Sequence, residues 1–287
     1  MQPFENSASL SLKYLPVMKK IALLAAFIIF GLSANAQNRE IRTVESFTKL
    51  SFRVPGKLYL RQGSPQKVEL EGSRDILKEV ETEVSGGRLV IGKENRWMNW
   101  GWGNDKITAY VTVPDLDAIS VSGSGDLIGE GKWTASDMRL SVSGSGSLNL
   151  EVDASGNLEA DVSGSGDVDL KGSCSNFDSD VSGSGKVMLA LTIRDQADFG
   201  VSGSGKIQAT GSAKTVKTSI SGSGKVLAAN LEADKCEIRI SGSGDVEVNV
   251  KSDLDATISG SGSISYKGNP SHLNSHASGS GSVRKIN

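Results

Sequence analysis

Four groups of residues in this chain have the types and spacing to do chemistry. Gly200-Val-Ser-Gly-Ser-Gly205-Lys206 fits the G-x-x-x-x-G-K pattern of a phosphate-binding loop. The fit then fails. Ile207 stands where Ser or Thr should hold Mg²⁺, and a strand-like run follows where a helix is needed. Lys186, Lys206 and Lys225 share one repeated position, so the match is repeat grammar and no nucleotide site is expected. Asp126, Asp167 and Asp245 fall in the same row, and glycine- and aspartate-rich rolls can bind Ca²⁺. The lysines in that row repel a cation, so it reads as a solvated row outside a turn. His272 and His276 have i,i+4 spacing. Alternation turns both outward from a strand whose inward face is Leu273, Ser275 and Ala277, and nothing completes a metal site. The fourth group is Trp97, Trp100 and Trp102, three of the four tryptophans within six residues. Exposed indoles stack on sugars, lipids or partner surfaces. The competing reading is a loop folded over the fold's end or side, shielding apolar rows. These three are the candidate ligand-binding residues. Trp133, in an expected loop between units, would widen the same patch.

Three of these groups belong to one repeat, and the tryptophans lie before it. Ser-Gly-Ser-Gly occurs nine times, with central glycines Gly123, Gly144, Gly164, Gly183, Gly203, Gly222, Gly242, Gly260 and Gly279. The steps run from 18 to 21 residues with a mean of 19.5, so one structural unit repeats along an axis. With the central glycine as zero, position −2 is Val, Ile or, once, Ala277, and position +4 is always Val, Leu or Ile. Apolar residues continue outward at every second place, as in Leu140 and Met138 or Phe199 and Ala197. Arg139, Glu159, Asp198 and Asp169 lie between such places. Period-two alternation with β-branched residues marks half-buried strands. Each unit therefore reads strand, glycine corner, strand, variable loop, the last exemplified by Asp153 to Asn157.

A single unit cannot bury its own apolar face, but stacked units can. Each fully buried Val, Leu or Ile contributes about 1.5–3 kcal/mol. The expected fold is all-β: a parallel β-helix, or β-solenoid, with rungs of about 20 residues. The right-handed form is expected because about 98% of parallel crossovers take that hand. The nine glycines form its structural corner, supplying positive φ and close approach. The serines beside them are expected to hydrogen-bond the turn backbone and one another along the stack.

Residues 1–17 read as an upstream extension and 18–36 as a secretory signal peptide. Met18-Lys19-Lys20 begins it, Ile21 to Leu32 is its 12-residue apolar run, and Ala34-Asn35-Ala36 is its cleavage site. Such a run is too short to span a bilayer. The mature chain, 37–287, holds 251 residues and is read as a single solenoid domain. Irregular first rungs are expected over 40–112 and regular ones over 113–287. Val54 to Leu60 and Val84 to Ile91 each read strand, glycine bend, strand. The formal charge moves from −2 to −4 on loss of the leader, which gives no reason to expect nucleic acid. Cys174 and Cys236 sit three units apart, roughly 14 Å at 4.8 Å per rung. A disulfide needs Cα atoms within about 7 Å, so both are expected as free thiols, Cys236 buried.

The serial Val-Ser-Gly-Ser-Gly-Asp/Lys-Val/Leu units resemble the head GIN domain family of putative auto-transporter adhesins, found largely in exported Bacteroidetes proteins. Val54 to Glu71 and Leu77 to Ile91 resemble that family's opening segment. The resemblance implies a β-helix shaped like pectin-lyase solenoids, with no established catalytic set. No stalk or membrane barrel follows the last unit, so the head module alone is expected. The leading expectation is a non-enzymatic, exported, adhesin-like protein that binds glycan or a surface protein. It is expected to use no catalytic residue, cofactor, metal or integral membrane segment. The alternative is a polysaccharide lyase or hydrolase on a β-helix. Three or more Asp, Glu, Lys or Arg side chains converging in one sheet groove would favour it.

Overall fold

The computed structural model describes residues 38–92 and 106–286. The expected leader, Trp97, Trp100 and Trp102 lie outside them. The opening elements are β1 (Asn38–Arg42), β2 (Lys49–Phe52), β3 (Gly56–Gln62), β4 (Lys67–Gly72) and α1 (Arg74–Glu79). Next come β5 (Glu81–Ser85), β6 (Arg88–Gly92), β7 (Ile107–Val113), β8 (Ala118–Gly123) and β9 (Gly125–Ala135). The regular units hold β10 (Met138–Gly144), β11 (Ser147–Ala154), β12 (Asn157–Gly164), β13 (Asp167–Cys174), β14 (Asn176–Gly183), β15 (Lys186–Ile193) and β16 (Gln196–Gly203). Then β17 (Lys206–Gly222), β18 (Lys225–Gly242) and β19 (Asp245–Gly260) each run from one corner to the next. The last are β20 (Ser263–Lys267), β21 (His272–Gly279) and β22 (Ser282–Lys285).

Strands before the corner pair in parallel with their counterparts one unit on, and so do strands after it. Met138 faces Leu158, Val142 faces Val162, and Leu148 faces Val168. The 20-residue period is therefore one rung of a parallel β-solenoid. Expected variable loops shrink to short bends such as Ser155-Gly156 between β11 and β12. Arg194 laces that side together, donating from Nη2 to the Ser155 carbonyl (2.6 Å) and the Ser175 hydroxyl (2.6 Å).

Inward rows form one continuous core of apolar ladders. Large and small residues alternate between neighbouring rungs. Phe177 lies beside Ser179 in one rung, and Ala197 beside Phe199 in the next, so the two rings meet edge to face at 6.2 Å. Such interleaving of large and small side chains is how interiors reach close packing. Ser179, buried in the ladder, donates to the Ala160 carbonyl at 2.7 Å, which removes the penalty of an unpaired buried hydroxyl.

The two glycines of each corner have different reasons. All nine central glycines have φ between +82° and +129°, a region costly to any L side chain. A Cβ on Gly164 would also sit 2.7 Å from the Gly144 carbonyl oxygen. The second glycine needs space only: a Cβ on Gly166 would lie 2.5 Å from Cγ1 of Val142 in the rung before. The corner's own ladder is backbone. Ser165 N–H donates to Gly144 O (2.8 Å) and Ser184 N–H to Gly164 O (2.9 Å). Among the described residues, the expected hydroxyl-to-hydroxyl serine ladder does not form.

The opening segment departs from the expected chain of first rungs. β2 and β3 form a rung with Gly56 at its corner, but it is sandwiched. β2 pairs with both β6 and β8, and β3 with both β7 and β9. Chain order is thus not stacking order. β4 lies antiparallel on β7, β5 antiparallel on β6, and β1 pairs with β4. Val84 to Ile91 is a tight hairpin and not a corner: Gly86 (φ +55°) and Gly87 (φ +71°) make a turn whose twist suits antiparallel strands. Ser73 caps α1 by accepting the Ile76 N–H, and α1 buries Ile76 and Leu77. At the other end, β21 is exposed along its whole length.

Candidate functional site

The structure places the sequence candidates as follows. Trp133 is not in a loop and widens no patch. It lies in β9, fully buried, with Val152 as its register partner. Extra residues around Gly129 to Gly131 shift the register between Asn149 and Glu151 and bring the indole inward. Leu273 keeps its inward register opposite Leu254 but is 49% exposed, because no further rung covers it. His272 and His276 are exposed, and His272 Nδ1 lies 3.3 Å from Asp253 Oδ1. Gly200 to Lys206 runs from β16 through a corner into β17, which removes the helix a phosphate loop requires. Cys174 and Cys236 are both free and buried. Burial pushes their thiols up to about 11 and about 12 respectively.

An aromatic stack also fails as a platform. Tyr59 and Tyr110 stack at 5.4 Å with ring planes 16° apart, and the Arg39 guanidinium lies 4.0 Å from the Tyr110 centroid. The Tyr110 ring is thereby already engaged by Tyr59 and Arg39, and its hydroxyl donates to Glu71 at 3.3 Å.

The most unusual chemistry lies on the outer face of the sheet before the corner. Positions −5 and −3 of three successive rungs are Glu159 and Asp161, Asp178 and Asp180, then Asp198 and Gly200. Alternation sends all five carboxylates outward on the same face. Carboxylate oxygens of Asp161, Asp178 and Asp180 lie within 4.8 Å of one another. Gly200 has no side chain to hold Asp180 off, so that carboxylate lies over bare backbone. Two partners moderate the repulsion. Arg139 donates to Glu159 from Nε and Nη2 at 2.7 and 2.6 Å, and Gln196 donates to Asp198 at 2.7 Å.

The result is visible in protonation. Asp161 is pushed up to about 6, chiefly by burial, with the charges of Glu159 and Asp180 adding to the rise. The Asp180 N–H, which donates to Asp161 at 3.3 Å, works the other way. Asp178 is also raised, first by burial and then by its acidic neighbours. Carboxylates this close can share a proton or hold a cation. Alternation in the sequence marks Glu159 and Asp198 as outward residues but does not show their convergence with Asp161, Asp178 and Asp180. The signal was present: two acids, two residues apart, in consecutive units.

The model of the putative auto-transporter adhesin, head GIN domain family matches residues 46–208 and again 194–270, more than half of the chain. The chain belongs to this family. Among solved structures, a putative adhesin from Parabacteroides distasonis shares the head GIN fold with a TM-score of 0.68 at 20% identity. The match covers 88% of this chain and 98% of that one. A putative lipid binding protein from the same organism matches with TM-score 0.65 at 23% identity, covering 89% and 98%. A putative adhesin from Parabacteroides merdae matches with TM-score 0.61 at 19% identity, covering 88% and 98%. No curated protein matches the chain. Among the described residues, no helix of this head GIN protein is long and apolar enough to cross a membrane.

Proposed function

We propose that this head GIN protein is an exported, non-enzymatic, adhesin-like module that binds glycan or a surface protein through its outward sheet faces. The observation that carries this reading is the division of labour in each rung. Inward positions are spent on the core ladders, and corner glycines on backbone geometry. Chemical variety is left to the outward rows, which lie in register on flat faces. Flat, periodic faces suit extended partners. The mature chain, 37–287, should be tested on a glycan array and a panel of matrix proteins and lipids. Lipid enters the panel because one structural relative is named as lipid binding. Saturable binding lost on charge reversal of an outward row supports the reading; no ligand across the panel sinks it.

The carboxylate face favours a second reading, a carbohydrate-active enzyme. A raised Asp161 beside ionisable neighbours pairs an acid with potential bases, the arrangement glycosidases use. The sub-5 Å spacing is tighter than the roughly 6.5–9.5 Å of inverting enzymes. Depolymerisation of a panel polysaccharide, abolished by Asp161→Asn or Asp180→Asn, would establish that reading over the binding one.

A further inference from the structure

The outer face of the other sheet, after the corner, carries the opposite charge in the same region of the stack. Lys186 stands directly opposite Lys206, and Lys206 opposite Lys225. With rungs about 4.8 Å apart, the three ammonium groups form a line roughly 10 Å long beside the serine corners. Like charges in direct register destabilise a sheet, so the fold itself gains nothing from this row. The same row is internally satisfied elsewhere: Ser147 donates to Asp126 at 2.7 Å and Ser263 to Asp245 at 2.6 Å. Lys225 is paired with Asp245 at 2.8 Å. Among the described residues, neither Lys186 nor Lys206 has an ion-pair partner, although Asp167 stands next in register to Lys186.

The surroundings narrow the partner. Outward of the lysines the next row is Met188, Gln208 and Leu227, a flat neutral strip with two apolar side chains. No carboxylate occurs in β15 or in the first eight residues of β17. We propose that this strip, over β15, β17 and β18, docks a linear acidic glycan laid along the stack axis. Its anionic groups would lie on Lys186 and Lys206, with Lys225 held by Asp245 at the edge of the strip, and its sugar rings over Met188 and Leu227. The proposal rests on the binding reading above and names its ligand class and face. A line of evenly spaced cations matches a polymer with a regularly repeated charge. A lone phosphate would want converging donors instead. Single-stranded nucleic acid would want exposed aromatic faces for its bases, and the strip has none. The acidic cluster on the opposite sheet repels a polyanion and so confines it to the lysine face.

The test uses the mature chain with polygalacturonate as probe and neutral dextran as control, titrated calorimetrically at 50 and 500 mM NaCl. Polygalacturonate should bind at low salt, weaken at high salt, and dextran should not bind. Lys186→Gln/Lys206→Gln should weaken binding at least tenfold with an unchanged or higher Tm. Asp178→Asn/Asp180→Asn should leave binding unchanged or tighten it. Absence of polygalacturonate binding, or binding indifferent to the lysine pair, overturns the strip. Salt-sensitive self-association that disappears in the lysine variant, without glycan binding, also overturns it and gives the row to a second copy's acidic face. A neutral glycan or protein that binds independently of the lysines overturns the strip while leaving the wider binding reading intact. Failure of every ligand removes both.

Discussion

The two ends of the solenoid solve one problem in opposite ways. A parallel stack ends in an uncovered apolar face and an unpaired strand edge, a template for aggregation. The N-terminal end is covered. β4 and β5 lie antiparallel on the outermost rung, and α1 packs Ile76 and Leu77 beneath. The C-terminal end is diluted. Where earlier rungs place Ala256, Ile258 and Tyr266, the last places Ser275, Ala277 and Lys285. Lys285 bonds Asn269, so a charge occupies the row that elsewhere feeds the core. The covered end buries full-size apolar residues; the diluted end leaves Leu273 exposed and Val283 half-buried, and its rung should contribute little stability. Terminal repeats of solenoids are atypical for this reason.

Four measurements break or sharpen that contrast. The largest effect concerns the attachment of the diluted end to the covered one. Deleting Gly164 through Ser182 removes one whole rung, and the shortened protein should fold with both ends intact. Deleting about ten residues there should abolish cooperative unfolding, because the ladders beyond lose register. Equal thermal stability of both deletions would count against the stack.

Next comes leucine truncation at each end. Leu89→Ala, fully buried under the cap, should cost about 2–5 kcal/mol in urea unfolding. Leu273→Ala should stay within about 0.5 kcal/mol. Similar losses at both sites would erase the distinction. Corner glycines give a graded version. Gly164→Ala meets both positive φ and the Gly144 carbonyl, whereas a Cβ on Gly123, in the first regular unit, meets nothing within 4 Å. Gly123→Ala should cost about 1–2 kcal/mol from φ alone, and Gly164→Ala distinctly more.

The smallest effect lies between the ends. Asp161 is raised above the usual carboxylate range when folded, so the folded chain holds that proton more tightly than the unfolded one. Its ionisation therefore destabilises the fold as pH climbs through about 6, and the penalty fades below about 4. Asp161→Asn should raise stability at pH 7.5 and do little at pH 4. A Tm gain that is the same at both pH values would show that ionisation of Asp161 is not the cause.

Much of this was legible because the repeat is strict. Val142, Val162 and Val181 had to stack once the period was seen, and their burial follows from alternation. Where the repeat slackens, reading became unreliable. Trp133 follows a local insertion that hides its phase. Val84 to Ile91 has a corner's glycines, yet they are consecutive, and two adjacent positive-φ residues suit a hairpin and not a rung. The carboxylate face escaped notice because each acid looked like an ordinary solvent-facing residue within its own unit.

Composition and period alone determined the all-β solenoid, the roles of the glycines and which residues face the core. These are local choices, made identically in every unit, so one strand's alternation predicts the rest. Tertiary structure decided the stacking order at the N-terminus, the difference between the two ends, and the convergence of the carboxylates. Those depend on which residues meet across rungs some twenty positions apart, and charge acts through such distances in space, not along the chain.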